Sequence, residues 1–234
     1  MKLRILAIAG FTVSCALTLT GCATSGGRTP LVALKGATLI DGTGAAPVPN
    51  SVVLISGETI AAAGPANNVA IPADARIVDV TGKTLMPGII SNHAHIGIVD
   101  GTKSSPDNYN KDFISRQLQQ FEALGVTTIT SLGMNGPLFY DIRRELRSGA
   151  LRGADLFGAD RGIGVDAGAP PANIVTIANN QIYRPKTPEE ARQAVSEMKA
   201  RGTDLVKVWL DDFGKSLPSK VTPAVYGALV DEAH

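Results

Sequence analysis

The sequence predicts an α/β fold in which a small antiparallel β-domain precedes alternating strands and helices. Short β-rich runs broken by glycine occupy residues 31–84. From residue 85, strands alternate with helices of about 12 to 15 residues, which is typical of parallel βα units. Four such units are present over residues 85–234, and a closed TIM-type (β/α) barrel has eight. We therefore predict the first four βα units of such a barrel.

The N-terminus has the pattern of an export signal over residues 1–21. A positive segment at 1–4 precedes an apolar run over 5–19, which is too short to span a membrane. The end of this segment, Leu-Thr-Gly-Cys22, resembles the bacterial lipobox, in which the cysteine is acylated after cleavage. An ordinary signal peptide with an incidental cysteine is the alternative.

We predict an exported lipoprotein anchored in the cell envelope through Cys22, with residues 22–30 as a flexible tether. Ala23 follows the cysteine, a pattern that resembles sorting to the outer membrane, facing the periplasm, if the source is Gram-negative. Cys15 lies in the signal, so the mature chain can form no internal disulfide. Removal of the signal leaves 20 basic and 21 acidic residues, and we expect no nucleic-acid partner.

The elements follow from local patterns. In the β-domain, predicted strands cover 32–40, 51–55, 59–63 and 76–80. The predicted barrel strands cover 85–90, 126–132, 155–157 and 204–210. The predicted helices cover 112–124, 138–148, 188–200 and 223–234. We expect Thr187 to cap the third helix, with Glu190 in the capping-box position and Gly202 as its stop.

Two of the three histidines, His93 and His95, follow the first barrel strand. Residues i and i+2 lie on one face of a strand about 7 Å apart, so both imidazoles can bind one metal ion. Catalytic groups of βα barrels lie at this end of the strands. Zinc takes at least three protein ligands, so the pair is half of a metal site. An isolated pair at this spacing can also be incidental.

A lysine occupies the predicted interior face of the fourth barrel strand. Alternation directs Lys207, with Leu205 and Trp209, toward the barrel interior. Burial of an unpaired ammonium favours the neutral amine, which is a nucleophile or a ligand precursor. The alternative is a lysine that extends from the strand end to solvent.

Together these segments resemble the amidohydrolase superfamily, in particular its exported imidazolonepropionase-like and prolidase-like branch. The similar stretches, in the family's order, are KGATLIDGTG (35–44), GKTLMPGIISNHAH (82–95), GVTT (125–128) and DLVKV (204–208). The histidine motif bounded by proline and glycine is the most specific of them. The resemblance implies the N-terminal portion of the family fold: part of a composite β-sandwich over 31–84 and half of a barrel over 85–234.

The resemblance also implies roles for three residues. His93 and His95 would bind the more buried of two divalent metals, expected to be zinc. Lys207, carbamylated by carbon dioxide, would act in catalysis by bridging both. A water held between the metals would attack a carbonyl polarised by one of them. The implied reaction is hydrolysis of a C–N bond in an amide, lactam or dipeptide.

The family pattern includes ligands that these four units do not supply. Two histidines follow the fifth and sixth strands, and an aspartate follows the eighth. We therefore expect a truncated chain, inactive alone, with unpaired barrel edges and an exposed apolar inner face. His234, in the fourth predicted helix, is assigned no metal role.

Two other functions stay open: a non-catalytic lipid-anchored binding protein, and one half of a split enzyme completed by an oligomer or a second chain. Among further polar residues, Asp160, Arg161 and Asp166 are candidate substrate contacts, whereas Asp211 and Asp212 are assigned to a loop.

Overall fold

A computed structural model describes residues 29–234. They divide into two compact units between Met86 and Pro87, two residues beyond the predicted domain boundary. The predicted signal peptide, Cys22 and all but the last two tether residues lie outside the described part of the chain. Between residues 29 and 234, no helix combines the length and apolar character needed to cross a membrane.

The first unit is built on mixed β-sheets. Its strands are β1 (Leu31–Lys35), β2 (Thr38–Leu39), β3 (Ser51–Ser56), β4 (Thr59–Pro65), β5 (Arg76–Asp79) and β6 (Thr84–Leu85). β3 pairs antiparallel with β1 and β4, but β1 pairs parallel with β5 and β2 pairs parallel with β6. The prediction of an antiparallel domain was therefore wrong in part, because hairpin signals report only pairing between neighbours in sequence.

The predicted strand over 32–40 is broken at Gly36. This glycine has φ +97°, and a Cβ on it would lie 2.2 Å from Oγ1 of Thr81. Glycine fits both the backbone angle and the close approach. The break allows β2 to leave the sheet that contains β1 and to pair with β6.

The second unit has alternating strands and helices. Its elements are β7 (Ile89–Ala94), β8 (Val99–Asp100), β9 (Lys103–Ser104), α1 (Lys111–Ala123), β10 (Val126–Leu132), α2 (Leu138–Arg147), β11 (Asp155–Ala159), α3 (Pro188–Arg201) and α4 (Pro223–Ala233). β11, β10 and β7 form a parallel sheet in that order, while β8 and β9 form a short hairpin. Within residues 29–234 this sheet does not close into a barrel.

The fourth predicted barrel strand, 204–210, is not a regular strand. Two isolated parallel bridges join this segment to the chain at and beyond the end of β11: Leu205 to Ala159 and Val208 to Ile163. Leu205 and Val208 are three residues apart, whereas Ala159 and Ile163 are four apart. The second segment therefore carries one extra residue, which interrupts the ladder. The Ile163 amide still donates to the Lys207 carbonyl at 2.8 Å, and the Trp209 amide donates to the Ile163 carbonyl at 2.9 Å.

The helices pack against one face of this parallel arrangement in two buried clusters. The cluster formed with α1 and α2 consists of Ile96, Ile114, Leu118, Ile129, Phe139, Ile142, Ala154 and Leu156. The cluster formed with α3 and α4 consists of Ile163, Ala191, Ala194, Val195, Met198, Val221, Val225, Ala228 and Leu229. Val206 and Val208 pack against this second cluster.

Candidate active site

The two predicted histidine ligands lie at the end of β7, on the face opposite the helices. Ala94 packs against the cluster of α1 and α2, and Ile96 belongs to it. Because neighbouring side chains of an extended segment alternate, His93 and His95 face the other way. The centroids of their rings are 5.4 Å apart, with the ring planes at 72°.

A bulge in β7 produces this orientation. Ser91 lies opposite Ile129 and Ala94 lies opposite Ser131, so β7 advances three residues where β10 advances two. An extra residue inverts the alternation of the side chains beyond it. Without it, both histidines would lie on the side of Ser91, whose partner Ile129 is fully buried against the helices. The bulge therefore turns the imidazoles toward the open face of the sheet.

The surroundings of His95 favour its neutral imidazole. Burial lowers its pKa, a contact with the Gly133 backbone opposes this change, and the charges of His93 and Lys207 lower the pKa further. Nδ1 of His95 lies 3.4 Å from the Gly133 carbonyl oxygen. A carbonyl only accepts, so this contact favours the tautomer with the proton on Nδ1, in which the lone pair of Nε2 is available to a metal.

Lys207 lies close enough to His95 for its charge to lower the pKa of that imidazole. The Nζ of Lys207 is 5.4 Å from the centroid of the Trp209 ring. Lys207 and His95, which the sequence analysis selected separately, thus lie near each other beyond the carboxyl ends of the parallel strands.

The donor set fits part of a divalent-metal site. Across residues 29–234 there is no group of three or more histidine, cysteine, aspartate or glutamate residues that could hold an ion. His93 and His95 offer two nitrogen ligands, and Lys207 would offer an anionic oxygen only as its carbamate. His234 follows α4 and lines a separate groove beside Leu229.

Two of the polar residues named from the sequence are engaged in contacts within the fold. Asp160 is buried and accepts hydrogen bonds from the Tyr140 hydroxyl at 2.8 Å and from Nε of Arg201 at 2.6 Å. The guanidinium of Arg161 lies 4.6 Å from the centroid of the Tyr183 ring. The contacts of Asp160 link α2 and α3 to the end of β11, whereas Arg161 contacts Tyr183 and leaves its buried Nε without a hydrogen-bond partner among the described residues.

The other three aspartates belong to exposed loops. Asp166 is exposed and lies 3.7 Å from Nζ of Lys186. Asp211 accepts from the backbone amide of Phe213 at 2.6 Å. Asp212 pairs with Lys220 at 2.9 Å, and this contact lowers the pKa of its carboxyl group.

Sequence reasoning missed the backbone that supports the site. Gly133 directly follows β10, and its carbonyl contacts His95. Oγ1 of Thr130 donates to Oδ1 of Asn92 at 3.2 Å and joins β10 to β7 beside the bulge. A glycine directly after a buried strand was the only local signal available, because the partner of its carbonyl is distant in sequence.

No protein-family model and no curated protein sequence matches the chain. Solved structures do match it. An amidohydrolase structure has a TM-score of 0.71 and 20% identity, over 87% of this chain and 53% of that one. A Xaa-Pro dipeptidase with methionine bound in its active site has a TM-score of 0.70 and 22% identity, over 87% and 54%. A molinate hydrolase has a TM-score of 0.68 and 23% identity, over 88% and 52%.

The chain spans about half the length of each of these solved structures. At such identities the similarity establishes the fold. Residues 29–234 have the fold of the N-terminal portion of amidohydrolase-type structures, which confirms at the level of the fold the resemblance noted from the sequence.

Proposed function

We propose that the protein is a metal-dependent hydrolase of C–N bonds and that this chain contributes the first part of its metal centre. The observation that carries the proposal is the bulge in β7, which turns His93 and His95 to the open face, together with Lys207 near His95. The fold supports it, because the similar structures include a protein named an amidohydrolase and one named a dipeptidase.

In this proposal His93, His95 and carbamylated Lys207 would hold the metal. The ion, expected to be zinc, would supply an activated water and polarise the substrate carbonyl. The Gly133 carbonyl favours the proton of His95 on Nδ1, which would leave Nε2 to bind the ion. The substrate proposed is a small amide, a lactam or a dipeptide.

Zinc titration of the purified chain, in buffers with and without bicarbonate, tests this proposal. We expect weak binding, because the donor set is incomplete, and no turnover by this chain alone. Each of the variants H93N and H95N should weaken binding about tenfold or more, because each removes one ligand. K207R keeps the positive charge but cannot be carbamylated, so it should lose the effect of bicarbonate.

H234N is the matched control, since it removes the one remaining histidine outside the site. It should bind zinc as the unsubstituted chain does. If the double variant H93N/H95N binds zinc with unchanged affinity, the metal centre is not where we propose it.

We also propose that the protein is exported and held at the membrane by a lipid on Cys22. The support is the Leu-Thr-Gly-Cys pattern at residues 19–22. When the gene is expressed in a bacterial host with labelled palmitate, we expect the label in the protein and in its C15S variant. C22S should carry none. Label retained by C22S would contradict the proposal.

A second candidate, one half of a split enzyme, is favoured by the exposed edge of the parallel sheet. Ile89 and Ile90 of β7 are 50% and 64% exposed, and β7 pairs only with β10 among the described residues. An exposed apolar strand edge of this kind is a surface for pairing with another chain. The Ile90 substitution described in the Discussion tests whether this edge associates.

A further inference from the structure

One edge of the Trp209 indole ring fits a shallow slot formed by two glycines that lie against each other. A Cβ on Gly133 would lie 2.6 Å from Cη2 of the ring, and a Cβ on Gly162 would lie 2.6 Å from Cζ3. Both glycines have positive φ, +88° and +75°. The slot therefore exists only because both residues lack a side chain.

Backbone hydrogen bonds hold the slot together. The loop after β10 is joined to the loop after β11 by the Met134 amide, which donates to the Arg161 carbonyl at 2.6 Å. Nε2 of the buried Gln181 donates to the Met134 carbonyl at 2.9 Å. The Trp209 amide donates to the Ile163 carbonyl. The partly buried ring thus lies against segments that backbone hydrogen bonds hold together.

The same ring lies between two parts of the candidate metal centre, against Gly133 beside His95 and facing Lys207. One wall of its slot is Gly133, whose carbonyl accepts from Nδ1 of His95. Its face lies 5.4 Å from Nζ of Lys207, within the range of a cation–π contact. No other aromatic ring within residues 29–234 makes a cation–π contact with a lysine.

We propose that Trp209 is the positioning residue of the candidate metal centre. By filling the slot it fixes the Gly133 carbonyl against His95, so the imidazole stays in its Nδ1–H form. Its face also limits where the head group of Lys207 can lie. The role of Trp209 in metal binding rests on the proposed function. Its effect on the tautomer of His95 does not, because that effect requires no metal.

The first test therefore uses the metal-free chain. Long-range ¹H–¹⁵N correlation spectra above about pH 7.5, where an ordinary histidine is neutral, distinguish the two imidazole tautomers. We expect His95 to be Nδ1–H in the unsubstituted chain and in W209F, which keeps a ring in the slot. In W209A, His95 should become a mixture of both forms.

Phe157 provides the control, because it is an exposed ring on β11 that lies over no part of the slot. F157A should leave the tautomer of His95 unchanged. If W209A does not fold, as judged by circular dichroism, W209L replaces it, since leucine keeps apolar volume but has no ring face. A pure Nδ1–H form in W209A or W209L overturns the inference.

The second test measures zinc affinity in the same variants. Loss of a group that orients a ligand typically costs 10–100-fold in metal affinity, so we expect at least a tenfold loss in W209A and a smaller one in W209F. Trp209 is the only tryptophan of the chain, so its emission reports directly on the site. Zinc should change this emission in the unsubstituted chain but not in H93N/H95N.

The two hypotheses can fail separately. If the unsubstituted chain binds no zinc but W209A changes the tautomer of His95, the proposed function is wrong and the positioning role stands. If zinc binds and its affinity is the same in W209A, W209F and the unsubstituted chain, Trp209 does not position the centre.

Discussion

The two candidate histidine ligands differ in how firmly the protein holds them. His95 is partly buried and its Nδ1 contacts the Gly133 carbonyl, whereas His93 is exposed. One imidazole is therefore oriented before any metal arrives, and the other can adjust to it. One partly buried and one exposed imidazole cost less folding free energy than two buried imidazoles without hydrogen-bond partners would.

The lowered pKa of His95 has a consequence for stability in metal-free buffer. Its folded pKa lies below the ordinary value of 6.5, so the unfolded chain binds more protons once the pH falls below that value. The free energy of unfolding should therefore decrease as the pH falls from 6.5 toward the folded pKa. For one group the decrease is at most about 1.4 kcal/mol per pH unit.

Urea unfolding at several pH values on both sides of 6.5 measures this effect. The free energy of unfolding plotted against pH has a slope to which His95 contributes. We expect H95N to lose this contribution and H234N to keep it. Equal slopes in H95N and the unsubstituted chain would show that burial of His95 does not penalise its protonation.

The elements that position the site depend on close contact between strands. Gly158 of β11 has φ +157°, and a Cβ on it would lie 2.1 Å from the Ser131 carbonyl oxygen of β10. That atom belongs to the backbone and cannot rotate away. The two strands can therefore pair in this register only while residue 158 is glycine.

We expect G158A to lower the free energy of unfolding by about 3 kcal/mol, the upper part of the usual range for overpacked substitutions. G149A is the matched control, because Gly149 also has positive φ (+73°) but no heavy atom within 4 Å of the added Cβ. It should cost only about 1 kcal/mol, from the backbone angle alone. Chemical denaturation followed by circular dichroism measures both, and equal losses would contradict the crowding argument.

The helices show how far local signals reach. α1, α2, α3 and α4 begin and end within one residue of the predicted bounds. Thr187 caps α3 through a bond from the Glu190 amide at 3.2 Å, and Gly202 follows with φ +81°. In a capping box the Glu190 side chain would accept from the Thr187 amide, but it accepts from the Lys186 amide. This half of the predicted capping box was therefore wrong by one residue.

Viewed as a whole, the parallel sheet of the second unit leaves apolar surface uncovered within the described residues. Its β7 edge exposes Ile89 and Ile90. Exposed apolar edges promote association between chains. These two residues agree with the expectation of an unpaired edge, and the expectation of an exposed apolar inner face stays a prediction.

I90K should reduce association of the purified chain, because a lysine on a strand edge disfavours pairing with another strand. Leu124, which is 72% exposed at the end of α1, provides the control variant L124K, with the same change of charge away from the edge. Sedimentation velocity at several protein concentrations compares the two. Association that persists in I90K and is lost in L124K would place the contact on the helical side.

The sequence by itself determined the alternation of strands and helices, the ends of the helices, and the selection of His93, His95 and Lys207. Periodicity, caps and short motifs are local, so they can be read from neighbouring residues. Only the tertiary structure decided the parallel pairings of β1 and β2, the bulge that turns the histidines outward, and the slot around Trp209. Each depends on the register between segments far apart in the chain, and register is set by packing that no local pattern records.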